Sequence, residues 1–368
     1  MNATSTSTTS NINPDQSLFT GIVIPAVFLI LLTIWTAIGN IIIILAIIKY
    51  KRLQSNSNYL IANLAFSDLF LAVTVLPLSA TTDLVRHWIF GKFLCPVWLI
   101  IDILLCTASV WNLVVIAIDR FTATTFPVWY RSMNKNIFTL VYIATVWISA
   151  ILISLPGLLL SGIINPDDKE LYRRIEGTGN YECRLFENMS YVIYSALGSF
   201  IVPLVLMTIL YAKIFFVLNV RSKHLRERQK IKMNALLFNN STKTQNNSDE
   251  SNIDLDQSND AKQKQIVANQ EKDNERVDSR ERRATKQMAL IIFFFALCWI
   301  PFTLMYIIRA ITSGSIPEKW QQFVTWLGYA NSGLNPILLI IFNKEIRAAF
   351  IMIITCDKFG NNIIRTRM

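Results

Sequence analysis

The chain of 368 residues is 52% hydrophobic and only 16% charged, whereas a soluble globular protein carries roughly 25% charged residues, so an ordinary soluble enzyme is excluded. A net charge of +10 with two His and five Cys excludes a His-rich metal centre and a disulfide-dense secreted scaffold. Nucleic acid is a poor partner for that positive charge, because the basic residues follow membrane topology.

Seven apolar runs reach the length of about 20 residues that a helix needs to cross a bilayer. They lie near 21–48, 58–82, 95–118, 137–160, 191–215, 287–310 and 320–342. The reading is an all-α membrane protein, a seven-transmembrane helix bundle. The second, third and seventh runs carry polar residues well inside them, so these helices face a protein interior or a water-filled cavity.

Lys and Arg set the orientation. One side holds three in 49–52, three in 120–135, sixteen in 213–286 and five beyond Asn343; the other holds eight, in the connections near 83–94, 161–190 and 309–319. The basic side is cytoplasmic, which puts the N-terminus outside. Residues 1–18 lack a basic n-region and an apolar h-region, so no cleaved signal peptide is expected. The chain divides into a glycosylated outer tail (1–20), spans one to five (21–220), a third cytoplasmic loop (221–283), spans six and seven (284–342), and a short amphipathic eighth helix with a cytoplasmic tail (343–368).

Sequons at Asn2 and Asn188 fall on the outer side. The third cytoplasmic loop is rich in Asn, Ser, Gln, Lys and Asp and is read as disordered in its middle. Its ends, Arg221 to Lys232 and Arg276 to Lys286, are basic stretches that extend the fifth and sixth helices toward anionic lipid or a partner, or else are solvated charge runs. Phe342, Ile346, Phe350 and Ile353 share a helical face, so Cys356 behind them is either palmitoylated beside the membrane or a plain cytosolic thiol.

Asp68 and Asp102 are the only carboxylates deep inside the runs as bounded above. A charge at mid-bilayer costs about 2.5–3.5 kcal/mol on insertion scales, which makes each a functional candidate; a neutralised or internally bonded structural Asp is the alternative. No Lys, Arg or His lies deep in a span, so the partner cation comes from outside the chain. Asp102 and Arg120 stand eighteen residues apart, five helical turns or about 27 Å along one face. One face of the third span thus offers an anionic site near the outside and a cationic one at the cytoplasm, which suits signal transmission better than solute passage. Cys95 and Cys183 are the two cysteines on the outer, oxidising side, and a disulfide between them is expected to pin the 161–190 loop over the third helix.

From residue 20 to 356, outside the third cytoplasmic loop, the chain resembles a rhodopsin-like (class A) G-protein-coupled receptor. The resemblance is carried by Gly39 and Asn40, the stretch Leu64 to Asp68, Cys95, Asp119 with Arg120 and Phe121, Trp147, Phe200 to Pro203, Tyr211, Phe295, Cys298 to Pro301, and Asn331 to Pro336. Within that family it looks like a biogenic amine receptor, through Asp102 with Cys106 to Ser109, Tyr194 with Ser195, Ser199, Trp299 with Phe302, and Trp326 to Tyr329. Thr325 to Tyr329 is similar to dopamine receptors; Pro301 to Leu304 is closer to histamine receptors.

The resemblance implies a protonated amine on Asp102, bordered by Cys106, Ser195, Ser199, Trp299, Phe302, Thr303, Tyr306, Thr325, Trp326 and Tyr329. The aromatics present faces to the ligand or, taken singly, pack the core. Ser195 and Ser199 meet ring hydroxyls or bond their own helix carbonyls. It also implies an allosteric sodium ion at Asp68, Ser109, Asn331 and Asn335, with no other metal or cofactor. The switch residues are Asp119, Arg120, Tyr211, Pro203 and Phe295, with Glu281 as the acid partner of Arg120. A heterotrimeric G protein, Gi/o by loop proportions, and membrane lipids are the implied partners. Three positions depart from the pattern: Phe121 stands for Tyr, Leu339 for the Tyr of the seventh-span motif, and Ala196 for a second serine beside Ser195. A transporter's inverted repeats or charged pore lining are not seen. His87 and His224, at membrane edges or loops, do not suit a membrane enzyme.

Overall fold

A computed structural model describes residues 23–160, 171–186, 188–243, 289–312 and 316–355. Within them lie seven helices long and apolar enough to cross a membrane. The first covers Ile24–Lys49, and the second is built from Asn56–Thr74 and Leu76–Val85. The third covers Gly91–Thr125, the fourth Lys135–Leu160 and the sixth Ala289–Thr312. The fifth begins with Met189–Ala196 and continues through Val202–Lys243, and the seventh covers Glu318–Phe342. The third and seventh are the most enclosed, whereas the first, fourth and fifth turn much of their surface outward. Leu31, Leu140 and Phe215 are 60%, 68% and 63% exposed, as lipid-facing side chains should be.

Proline governs the irregular points, because it withholds an N–H that a helix in lipid must replace. Pro77 follows a break at Val75, and the second span resumes as Leu76–Val85, three residues beyond its expected end. It stops at Arg86, whose φ of 65° is left-handed. Pro203 follows a π-helical turn over Leu197–Ile201, and the Trp111 indole donates to the Gly198 carbonyl there at 3.1 Å. Pro336 leaves the Ser332 carbonyl, four residues back, without its helical donor. Asn40 Nδ2 reaches that carbonyl at 3.2 Å, and Trp35 Nε1 reaches the Gly333 carbonyl at 2.9 Å. The Gly39 and Asn40 pair is thereby explained: a Cβ on Gly39 would come within 3.0 Å of the Pro336 ring.

Above the bundle, β1 (Tyr172–Arg174) and β2 (Tyr181–Cys183) form an antiparallel hairpin with Tyr172 opposite Cys183. The Cys95–Cys183 disulfide joins it to the first turns of the third span, as expected from the sequence, and Trp88 N donates to the Tyr181 carbonyl at 2.7 Å. At the other end a short helix, Lys344–Ile354, follows the seventh span. Asn343 caps it by accepting from the backbone N–H groups of Glu345 and Ile346, and Ile346 and Ala349 are buried against the bundle. The fifth-span helix runs on to Lys243, so the first part of the expected third loop is helical well past Lys232. Asn2, Glu281, Cys356 and the middle of that loop lie outside the described residues.

Candidate functional site

The hairpin and the outer halves of the second, third, fifth, sixth and seventh spans enclose a cavity of about 750 Å³, toward the upper end of the ~300–1,000 Å³ range of ligand pockets. Asp102 lines it. Its Oδ2 accepts from the Tyr329 hydroxyl at 2.9 Å and its Oδ1 from the Cys106 thiol at 3.3 Å. Both donors are neutral. The carboxylate is oriented without being neutralised, and an ionised carboxylate offers about four lone-pair sites, so acceptor capacity remains.

Cys106, Ser195, Ser199, Trp299, Phe302, Tyr306, Thr325 and Tyr329 line the same cavity, joined by Phe200. Trp299 stacks on Phe200 with centroids 4.6 Å apart and meets Phe302 edge-on at 5.6 Å; Phe302 in turn stacks on Tyr306 at 5.8 Å. Trp299 sits tightly against the seventh span, where a Cβ on Gly328 would come within 3.0 Å of its ring. Its buried Nε1 has no hydrogen-bond partner among the described residues. Ser199 Oγ and Thr107 Oγ1 are 2.7 Å apart and share a hydrogen bond across the third and fifth spans. Ser195 Oγ donates to the Val192 carbonyl at 3.2 Å, the local bond that competes with any bond to a ligand.

Two expected lining residues are placed elsewhere. Thr303 is buried and gives its hydroxyl to the Trp299 carbonyl at 2.9 Å, one turn back on its own helix. Trp326 gives its indole N–H to Asp83 Oδ2 at 2.6 Å. Neither forms part of the cavity wall. Asp83, which does line it, escapes a reading that ends the second span at 82. The signal available in the sequence was Pro77, after which a helix can restart and carry Ser79 and Asp83, four apart, on one face.

Beneath the cavity Asp68 is fully buried. Ser109 Oγ donates to Oδ1 at 2.8 Å and Asn335 Nδ2 to Oδ2 at 2.7 Å. Asn331, expected in this set, is buried and makes no side-chain bond to Asp68. The neighbours are uncharged oxygen and amide groups, compatible with a hard monovalent cation.

At the cytoplasmic end Asp119 accepts from Ser57 Oγ at 2.7 Å and from the Tyr130 hydroxyl at 2.8 Å. Burial, and then the Asp119 carboxylate, push the Tyr130 phenol up to about 12, so it stays a donor. Arg120 is half-buried, and its Nε is buried without a hydrogen-bond partner among the described residues. Phe295 is buried, and Pro203 follows the π turn. Arg221 Nη2 donates to the Thr124 carbonyl at 3.1 Å, tying the fifth span to the inner end of the third. Asn188 is exposed and caps the fifth span through its oxygen, accepting from Tyr191 N at 3.1 Å; a glycan attaches through the nitrogen.

The arrangement is an outer cavity with an acid at depth and a cationic inner end, joined by a single long helix. Residues 39–339 match the family model for the 7 transmembrane receptor (rhodopsin family). The chain belongs to that family. It is 35% identical to a "Probable G-protein coupled receptor No18" of Amphibalanus amphitrite, over 88% of this chain and 87% of that protein. It is 31% identical to the 5-hydroxytryptamine receptor 1E of Homo sapiens, over 97% and 99%, and 28% identical to octopamine receptor 2 of Lymnaea stagnalis, over 88% and 82%. The receptor is therefore a class A member of the biogenic amine receptor group, a multi-pass plasma membrane protein and not an enzyme. Its relatives include octopamine, adrenergic and 5-hydroxytryptamine receptors.

Proposed function

We propose that the receptor binds a protonated biogenic amine through Asp102 and signals to a Gi/o protein that lowers cAMP. The observation that carries the amine reading is a carboxylate deep in the cavity, held by Tyr329 and Cys106 and, among the described residues, by no cation. An ammonium group supplies the missing charge, and a charge-assisted hydrogen bond in a poorly hydrated cleft is strong. Phe302 and Tyr306 offer faces to the ligand body. Ser199 and Thr107 offer hydroxyls on the fifth-span side, which favours an amine with a ring hydroxyl, dopamine or a related catechol or phenol amine, over histamine or an acetylcholine-like ligand; serotonin, which also has a ring hydroxyl, is the alternative.

Agonist acts by binding better to the state in which the sixth span has swung outward and opened the transducer site around Arg120. Asp68 with Ser109, Asn331 and Asn335 would hold a sodium ion that favours the resting state. The Gi/o preference rests on the proportions of the third cytoplasmic loop and the C-terminal tail.

A panel of about ten amines on transfected cells, with cAMP and calcium both read, tests the reading. The expected result is a catechol or phenol amine that lowers forskolin-raised cAMP, with loss of the effect under pertussis toxin. A toxin-insensitive rise in calcium or cAMP without an inhibitory component would overturn the Gi/o assignment. Silence to every amine would favour a ligand-independent seven-helix scaffold.

A further inference from the structure

A second carboxylate opens into the same cavity, and the amine reading of Asp102 does not use it. Asp83 stands on the outer piece of the second span, past the Pro77 break. It is held by two neutral donors, the Trp326 indole N–H at 2.6 Å on Oδ2 and Gln322 Nε2 at 3.3 Å on Oδ1. Among the described residues Arg86 is the cation whose charge acts on Asp83, and its Nη1 is bonded to Glu318 Oε1 at 3.0 Å and to Gln322 Oε1 at 3.4 Å. With one cation against two acids, the group Asp83, Arg86 and Glu318 keeps a net negative charge. The other charged lining groups belong to the hairpin and the sixth span. There Glu182 pairs with Arg184 at 2.6 Å and Arg309 donates to Gln321 at 2.9 Å, while Arg173 adds a positive charge at the hairpin.

The two acids are built alike. Each hangs from an aromatic donor of the seventh span, Asp83 from Trp326 and Asp102 from Tyr329. Those anchors are three residues apart, about 4.5 Å along the helix, and their rings meet edge-on at 5.4 Å. The carboxylates therefore lie in register on one wall, one at the mouth and one at depth. The cavity of about 750 Å³ leaves room beyond a single small aromatic amine.

We propose that Asp83 is a second ammonium-binding site, and that the cavity selects ligands with two basic nitrogens, one on Asp102 and one on Asp83. The inference rests on the amine reading of Asp102 and adds a ligand class to it. Trp326 is then a positioning residue: its indole fixes the Asp83 carboxylate toward the cavity.

The test uses the purified full-length receptor in neutral detergent at low ionic strength, where surface charge is least screened. Probes are α,ω-diaminoalkanes from three to eight carbons and the amino alcohols of equal length, which differ only in the second charge. Affinities are read from ligand-dependent thermal stabilisation. The expected result is an intermediate chain length at which the diamine binds at least tenfold tighter than its amino alcohol. The ratio should fall to within twofold in Asp83→Asn, which can still accept from Trp326, and return in Asp83→Glu. A ratio within twofold at every length in the wild-type receptor, with amino alcohols binding in an Asp102-dependent way, overturns the second site alone. That wild-type series decides the matter even if a variant fails to fold. No stabilisation by any monoamine or diamine overturns the Asp102 reading and this inference with it.

Discussion

The Tyr329 hydroxyl donates to Asp102 Oδ2 at 2.9 Å, joining residues 227 positions apart in the chain. Tyr329 thereby fixes the carboxylate's direction while leaving its charge free. Hydrogen bonds to charged groups contribute about 1.5–3 kcal/mol. Tyr329→Phe should weaken amine binding by roughly tenfold (1.4 kcal/mol per tenfold), measured by saturation binding at matched surface expression. Equal affinity would show that Cys106 alone orients the acid.

The hairpin that roofs the cavity is fastened by the Cys95–Cys183 bond, which closes a loop of 88 residues in sequence separation. Removing a native disulfide costs about 2–5 kcal/mol in small secreted domains. Cys183→Ser should reduce surface delivery and amine binding together. Peptide mapping under non-reducing conditions should recover a Cys95–Cys183 linked peptide from the wild-type receptor, and two free thiols there would refute the staple.

Asp68 is bonded on both oxygens by uncharged donors, Ser109 and Asn335. If a sodium ion completes this site and favours the resting state, raising sodium should lower agonist affinity several-fold in the wild-type receptor. The Asp68→Asn receptor should show no such sodium response. A sodium effect of equal size in both would remove Asp68 from the site.

Gly328 faces the Trp299 ring with space for no Cβ, the nearest ring atom being 3.0 Å from where it would stand. The indole is rigid and packed on Phe200, so Gly328→Ala must shift Trp299 at the cavity floor. Overpacking of this kind costs about 1–3 kcal/mol. A lower melting temperature of the detergent-purified protein and altered agonist potency are expected; an unchanged melting temperature would show that the seventh span moves aside freely.

Apolar run length gives the seven helices, and the two outer cysteines give the roof, because both depend on chemistry that one residue type carries alone. The deep acids Asp68 and Asp102 are legible for the same reason: a carboxylate in an apolar run has few bland explanations. The irregularities were hidden. Pro77 and Pro203 mark where backbone donors are missing, but whether a helix stops, restarts or widens to a π turn depends on what the neighbouring helix offers, here Trp111 to Gly198. For that reason run length alone places Asp83 in a loop, although it faces the cavity. No sequence pattern reveals the direction of the Trp326 N–H, which holds Asp83.

If Asp102 is the counter-ion of the ligand's ammonium group, its loss breaks a buried charge pair, at a cost of about 3–5 kcal/mol. Amine affinity measured on Asp102→Asn against the wild-type receptor, at equal surface expression, should then fall by at least tenfold. Unchanged affinity and agonist potency in Asp102→Asn would show that the ammonium group binds elsewhere.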